Sequence, residues 1–189
     1  MPSPGQNHGN RLATEMVGDH RAAEAIFHRL ETDATEPAQR QELVEQVVTQ
    51  LVTHTVAAEQ LLYPAARKAL ADGDEVADRH IAMNNEAERA MKELERHDPG
   101  DPEFEALLSR VIAAARLHAQ DEERTLLPRL AVAVGLDATN ATGDAIAAAK
   151  KTAPTRPHPA APDTPPGNLA NPLTGLVDRL RDTLSGRNS

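Results

Sequence analysis

The sequence contains no cysteine and no tryptophan, and its aromatics come to one tyrosine and two phenylalanines. Without cysteine there can be no disulfide, thiolate zinc site, iron–sulfur cluster or thiol nucleophile. Aromatics make up 2% of the residues and hydrophobic types 40%, so the core is aliphatic, which favours packed helices over a sheet. Long apolar runs are also missing. No stretch approaches the ~20 apolar residues that span a bilayer, and the start, "MPSPGQNHGNRLA", lacks the apolar centre of a signal peptide. A soluble cytoplasmic protein with no membrane span is expected. Positive charge is scarce as well. The net charge is -9, and residues 1–135 carry 24 acids against 14 bases. An acidic body with few stacking rings excludes nucleic acid as an expected partner.

Four stretches read as helices. The first runs from about Asn10 to Glu31. The second opens after "DATEP", with Thr35 as cap and Pro37 in the first turn, and reaches about Ala71 with Pro64 interrupting it. "ADGDE" then breaks the chain, Gly73 serving as a stop and Asp74 as the next cap. The third helix runs to about His97, and the fourth starts at Asp101 and Pro102 and ends near Val134. On each stretch apolar residues alternate at spacings of four and three, the seam of helices packed nearly antiparallel. The seams are Met16, His20, Ala23, Phe27, Leu30; Val47, Leu51, His54, Ala58, Leu61; Val76, His80, Met83, Ala87, Ala90, Leu94; and Phe104, Leu108, Val111, Ala115, His118, Glu122, Thr125. Short connections make neighbours antiparallel, so the expected fold is all-α: an up-down-up-down four-helix bundle over residues 10–135.

Beyond Gly135 the composition changes. Residues 136–170 are rich in Ala, Thr, Gly and Pro, with six prolines between Pro154 and Pro166, and read as a flexible linker. Residues 171–187 read as a short amphipathic helix, with Leu173, Leu176, Val177, Leu180 and Leu184 on one face. It docks on the bundle, stays only partly ordered, or receives a protein partner. Two arginines mixed with two aspartates on its polar face argue against membrane attachment.

Each seam carries one histidine: His20, His54, His80 and His118. A lone seam histidine is ordinarily a satisfied core residue, but four converging in an aliphatic core share too few acceptors unless a cation is their common partner. His80 lies 19 residues before Pro99 and His118 lies 18 after Gly100, which sets those two at one level. His54 and His80 match poorly. They lie about 19 residues before and 7 after Gly73, a mismatch of roughly 18 Å at 1.5 Å per residue, unless the chain departs from a straight helix after Pro64. "HTVAAEQLLYP" and "HAQDEERTLLP" repeat one skeleton, with one difference: Glu122 stands four after His118, where Ala58 stands four after His54. Residues four apart share a helix face, so Glu122 can join His118 on a metal. Glu59, five after His54, is either a surface residue or a ligand reached through a distortion such as a π-bulge.

These blocks, with "GDHRAAEAIF" and "DRHIAMNNEAERAMKELE", resemble the hemerythrin-like family with the HHE cation-binding domain over roughly residues 10–133; "GLVDRLRDTLSGR" resembles the C-terminal end of its actinobacterial members. The resemblance implies a bundle holding two non-heme irons and reacting with dioxygen, peroxide or nitric oxide. By position, His20, His54, His80, His118 and Glu122 match the family's metal ligands. Ala58 departs from it, standing where a bridging glutamate is expected, so one iron is expected to be weak or absent unless Glu59 compensates. Asn84 departs too, standing where oxygen carriers have a further histidine. The second loss resembles a subgroup linked to stress responses and peroxide breakdown, which implies catalase-like chemistry. The competing reading is a bundle whose metal site has decayed and which acts as an interaction module through its C-terminal helix. A ferritin-like diiron oxidase needs Glu-x-x-His pairs, and no histidine here has a glutamate three before it.

Overall fold

The computed structural model describes residues 10–32 and 36–151. Six α-helices follow in order, two of them entered through a wide π-helical turn: α1 (Arg11–Thr32), α2 (Pro37–Ala57), a π turn (Ala58–Leu62), α3 (Tyr63–Ala69), α4 (Gly73–Leu94), α5 (Pro102–Asp121), a second π turn (Glu122–Leu126) and α6 (Leu127–Lys150). There is no strand among the described residues. Four long rods result, with α2 running into α3 and α5 into the start of α6, and they form the expected all-α antiparallel bundle. Pro37 and Pro102 open α2 and α5, where a missing N–H costs nothing. Thr35 and the whole of 171–187 lie outside the described residues, as does 152–170.

The core is apolar at both ends and polar in the middle. One cluster joins Phe27 and Leu30 of α1 with Val44, Val47, Leu94, Phe104 and Leu108. The other joins Leu12 and Met16 with Leu62, Tyr63, Val76, Leu126 and Leu130. Between them lies a layer of buried His54, His80, Asn84, His118 and Glu122, and the apolar ends keep that layer from relaxing toward water.

Four details differ from the expectations above. First, Pro64 does not break the second rod. The Tyr63 N–H bonds to the Ala58 carbonyl, five residues back, and Pro64 follows where the widened turn makes its missing donor harmless. The second rod therefore runs from Pro37 to Ala69. Second, each π turn inserts one residue into the seam. The buried leucines are Leu62 and Leu126, where the spacing had pointed to Leu61 and Thr125. Third, Asp72 is the N-cap of α4, and Gly73 is its first residue, not a stop. A Cβ on Gly73 would stand 2.2 Å from the Ala66 carbonyl oxygen, so only glycine allows α3 and α4 to approach this closely.

Fourth, residues 136–150 are helical where a linker was expected. Gly135, at φ 78°, turns the chain, and the rest of α6 lies along α1. Arg11 pairs with Asn140 and Asp144, whereas Glu15 and Asp19 pair with Lys150. Numbers rise together on both helices, so this segment runs parallel to α1. Its buried face combines Thr139, Gly143 and the fully buried Ile146. A Cβ on Gly143 would lie 2.5 Å from the Leu12 backbone nitrogen.

Candidate metal centre

Glu122 is the centre of the polar layer. It is the first residue of the second π turn and fully buried, and its two oxygens face different histidines. Oε2 lies 3.3 Å from His20 Nε2 and 3.5 Å from His54 Nε2. Oε1 lies 3.1 Å from His118 Nε2 and accepts a hydrogen bond of 3.2 Å from the Tyr63 hydroxyl. His80 completes the second side, its ring 5.2 Å from that of His118 and stacked on Tyr63 at 5.6 Å. The result is two half-sites that share one carboxylate: His20, His54 and Glu122, and His80, His118 and Glu122. In each, the ligand atoms lie within 4.8 Å of one another.

The donor atoms fit a cation. The Nε2 atoms of His20, His54 and His118, both ring nitrogens of His80 and Oε2 of Glu122 are buried without an aligned hydrogen bond. Leaving so many polar atoms unpaired in an apolar interior costs on the order of 1–3 kcal/mol each, and a metal ion in each half-site would satisfy the Nε2 atoms of His20, His54 and His118, one ring nitrogen of His80 and Oε2 of Glu122. Imidazole with carboxylate suits iron and zinc among other divalent metals.

The first half-site is braced from outside. His20 Nδ1 meets Glu123 Oε1 at 2.8 Å, and His54 Nδ1 meets Asp19 Oδ2 at 3.1 Å. A carboxylate on Nδ1 fixes the tautomer that offers Nε2 to a metal. The second half-site is held differently. His80 Nε2 has Asp121 Oδ2 at 3.2 Å without hydrogen-bond alignment, and His118 Nδ1 has no hydrogen-bond partner among the described residues. A chain of weaker groups stands alongside: the Asn84 amide donates to the Tyr63 hydroxyl at 3.1 Å and to Glu59 Oε1 at 3.5 Å.

The electrostatics follow this division. Burial works to lower the His54 pKa, but the adjoining Asp19 and Glu122 carboxylates overcome it and raise it to about 9. Burial lowers that of His80 to about 4, with the neighbouring His118 adding to the effect. Glu122 would be raised by burial, yet the histidines around it hold it well below the usual carboxylate range. Burial, with the charge of Glu88, raises Glu59 to about 7.

The structure thus brings together His20, His54, His80, His118 and Glu122. Glu59 belongs to neither group of donors and reaches the layer through Asn84. Sequence reasoning passed over Asp19, Glu123, Asp121 and Tyr63. The expected mismatch in depth between His54 and His80 is not realised: the His118 ring lies 5.8 Å from that of His54 and 5.2 Å from that of His80. Glu122, four residues after His118, shares its helix face, and the second π turn, which begins at Glu122, shifts the seam after it to Leu126; the repeated histidine-to-proline skeleton is the trace of the two π turns in the sequence.

Comparison with known proteins agrees with this geometry. The hemerythrin HHE cation-binding domain matches residues 11–130. The chain belongs to that family. An uncharacterised hemerythrin-like protein of Schizosaccharomyces pombe is 23% identical over 176 residues, covering 92% of this chain and 86% of the relative. A DNA nickase of Nostoc is 28% identical over 110 residues, which span 57% of this chain and only 30% of that enzyme. No solved structure gives a significant match. All five converging donors lie inside the matched domain, as does the first π turn. The helical strap 136–150 lies beyond it. Among the described residues no helix is long and apolar enough to cross a membrane.

Proposed function

We propose that this chain is a non-heme iron protein that holds up to two irons across Glu122 and reacts with peroxide, dioxygen or nitric oxide in the response to oxidative or nitrosative stress. The observation that carries the reading is the shared carboxylate: one buried glutamate, with Oε2 facing His20 and His54 and Oε1 facing His118, that belongs to both groups of donors. Bound iron would supply the electron exchange with the small molecule. The chain's own residues position, brace and admit. Asp19 and Glu123 keep the Nε2 lone pairs of His54 and His20 directed at the metal, and the Tyr63 hydroxyl orients Glu122. A cavity of about 440 Å³ borders His20, His54 and His118, with Phe27, Leu51, Met83 and Met91 among its walls. Charged Asp19, Arg21, Glu24, Arg116, Glu123 and Arg124 line it as well, so a small molecule reaches the histidines between apolar and charged walls.

The test is iron content and absorption. Protein produced with ample iron should carry more than one iron per chain and show near-ultraviolet absorption that changes on adding peroxide or oxygen. Well under one iron per chain, without that absorption, overturns the reading. That result would favour the alternative of a decayed site, for which the burial of Ala58 among apolar residues is the supporting observation.

A further inference from the structure

The helical strap ends on a lysine that reaches the metal layer. Lys150 Nζ lies 2.6 Å from Asp19 Oδ2 and donates a hydrogen bond of 3.0 Å to the Glu15 carbonyl. The same Oδ2 is the atom that meets His54 Nδ1 at 3.1 Å. The other oxygen, Oδ1, accepts from the Gln50 amide at 3.2 Å. Both partners of the ion pair are largely shielded, with side chains 12% and 14% exposed, so the contact is not an ordinary surface bridge of negligible worth.

We infer that Lys150 is a positioning residue for the His20–His54 half-site, acting through Asp19 on the orientation of His54. The argument is geometric. A carboxylate that braces a ligand histidine must itself be held, or it rotates and the imidazole is free to turn. Gln50 fixes one oxygen of Asp19, and Lys150 fixes the one that faces His54. The lysine is held in turn. The strap is anchored at its far end by Arg11 on Asn140 and Asp144, at 2.8 and 2.9 Å, and along its length by Ile146 and by the glycine-only approach of Gly143 to α1. Behind the second half-site the corresponding cation comes from α4 and not from the strap: the exposed Arg79 holds Asp121 Oδ2, the oxygen that faces His80, at 2.9 Å, and His118 Nδ1 has no hydrogen-bond partner among the described residues. The strap therefore bears on one half-site only.

The inference rests on His54 being a ligand, and its test separates the two. In the full-length metal-free protein labelled with nitrogen-15, at a pH high enough to hold the His54 ring neutral, that ring should be the single tautomer protonated at Nδ1 in the parent and in Lys150→Arg. In Lys150→Met it should become a mixture that includes the Nε2–H tautomer. In cobalt(II) titrations, the binding event that His54→Ala abolishes should weaken about tenfold in Lys150→Met. The event that His118→Ala abolishes should stay within about twofold of the parent, and Lys150→Arg should restore most of the loss. An unchanged His54 tautomer in Lys150→Met overturns the inference whatever the metal does. Equal weakening of both events, with no rescue by arginine, also overturns it, since that marks a merely structural strap. A parent protein that binds no cobalt but shows the tautomer change overturns the metal reading and leaves the Lys150–Asp19–His54 linkage standing.

Discussion

The two half-sites use the same ligand types and are built on different principles. The half on α1 and α2 is braced by charge: each histidine has a carboxylate on Nδ1, and Lys150 stands behind one of them. The half on α4 and α5 leans more on packing and neutral groups: His80 is fully buried against the Tyr63 ring, Asn84 supports the tyrosine hydroxyl, and Asp121, held by the exposed Arg79, stands 3.2 Å from His80 Nε2 without hydrogen-bond alignment. The difference sets their proton content. Without metal, His54 keeps its proton to about pH 9, whereas His80 has lost its own above about 4. A metal entering the first half displaces a proton at neutral pH, and one entering the second need not displace any from His80. One bundle thus offers a charge-braced, proton-coupled seat and a preformed neutral seat on either side of a single glutamate.

The comparison breaks most completely if the shared residue is removed. Glu122→Ala takes one ligand from both halves and leaves the buried histidines without their common anion, so both metal-binding events should weaken by a hundredfold or more, beyond the ~10–100-fold that follows loss of a residue behind a ligand. Persistence of either event at parental strength, measured by metal titration with bound metal counted, would show that the halves do not share Glu122. Asp19→Ala should come next. It removes the brace of His54 and should weaken only the first half, by roughly 10–100-fold; an equal effect on the second half would erase the distinction.

Changing pH separates the halves without mutation. Because its pKa is raised in the folded state, His54 adds stability to the metal-free protein that is complete below about 6.5 and lost as the pH rises toward 9. His80, whose pKa is lowered, adds stability that is complete above about 6.5 and lost as the pH falls toward 4. On these two groups alone, denaturant unfolding of the metal-free protein should show greatest stability near pH 6.5. Affinity at the first half should rise from pH 6.5 to 9, by up to about tenfold per unit, while affinity at the second half changes much less over that range. Calorimetry in buffers of differing ionisation heat checks this directly, since the first-half event alone should release the His54 proton.

The ligands were more legible than what holds them. Spacings of four and three marked each histidine because burial of an aliphatic seam is a property of one helix at a time. The braces are not. Asp19 precedes His20 but serves His54 on α2; Glu123 follows Glu122 but serves His20 on α1; Asp121 faces His80 on α4. Each carboxylate sits next to a ligand in sequence and supports a histidine of another helix, a relation that only tertiary packing creates. The strap escaped for a different reason. Its seam of Thr139, Gly143 and Ile146 is too small and too weakly apolar to stand out in a composition that reads as linker, and Gly135 does end the preceding rod. Its glycine, unfavourable in an isolated helix, is what lets it lie against α1.

The smallest expected effect concerns the residues four and five after His54. Ala58 is fully buried in the apolar cluster beside Leu62 and Leu126, and Glu59 bonds to Asn84 at 3.5 Å. At about pH 7 Glu59 is poised between its two forms, so it brings only part of a charge to the layer, and its reach to the second half runs through Asn84 and Tyr63. Glu59→Ala should therefore weaken the second half by no more than about threefold, less than loss of a residue in direct contact with a ligand, and leave the first half unmoved. Ala58→Glu should slow metal release by a similar small factor, because a carboxylate gained there also carries the cost of burial in an apolar cluster. Release rates into a chelator measure both. If Glu59→Ala instead abolishes one binding event, Glu59 is a ligand in the metal-bound protein, and the second half is charge-braced like the first.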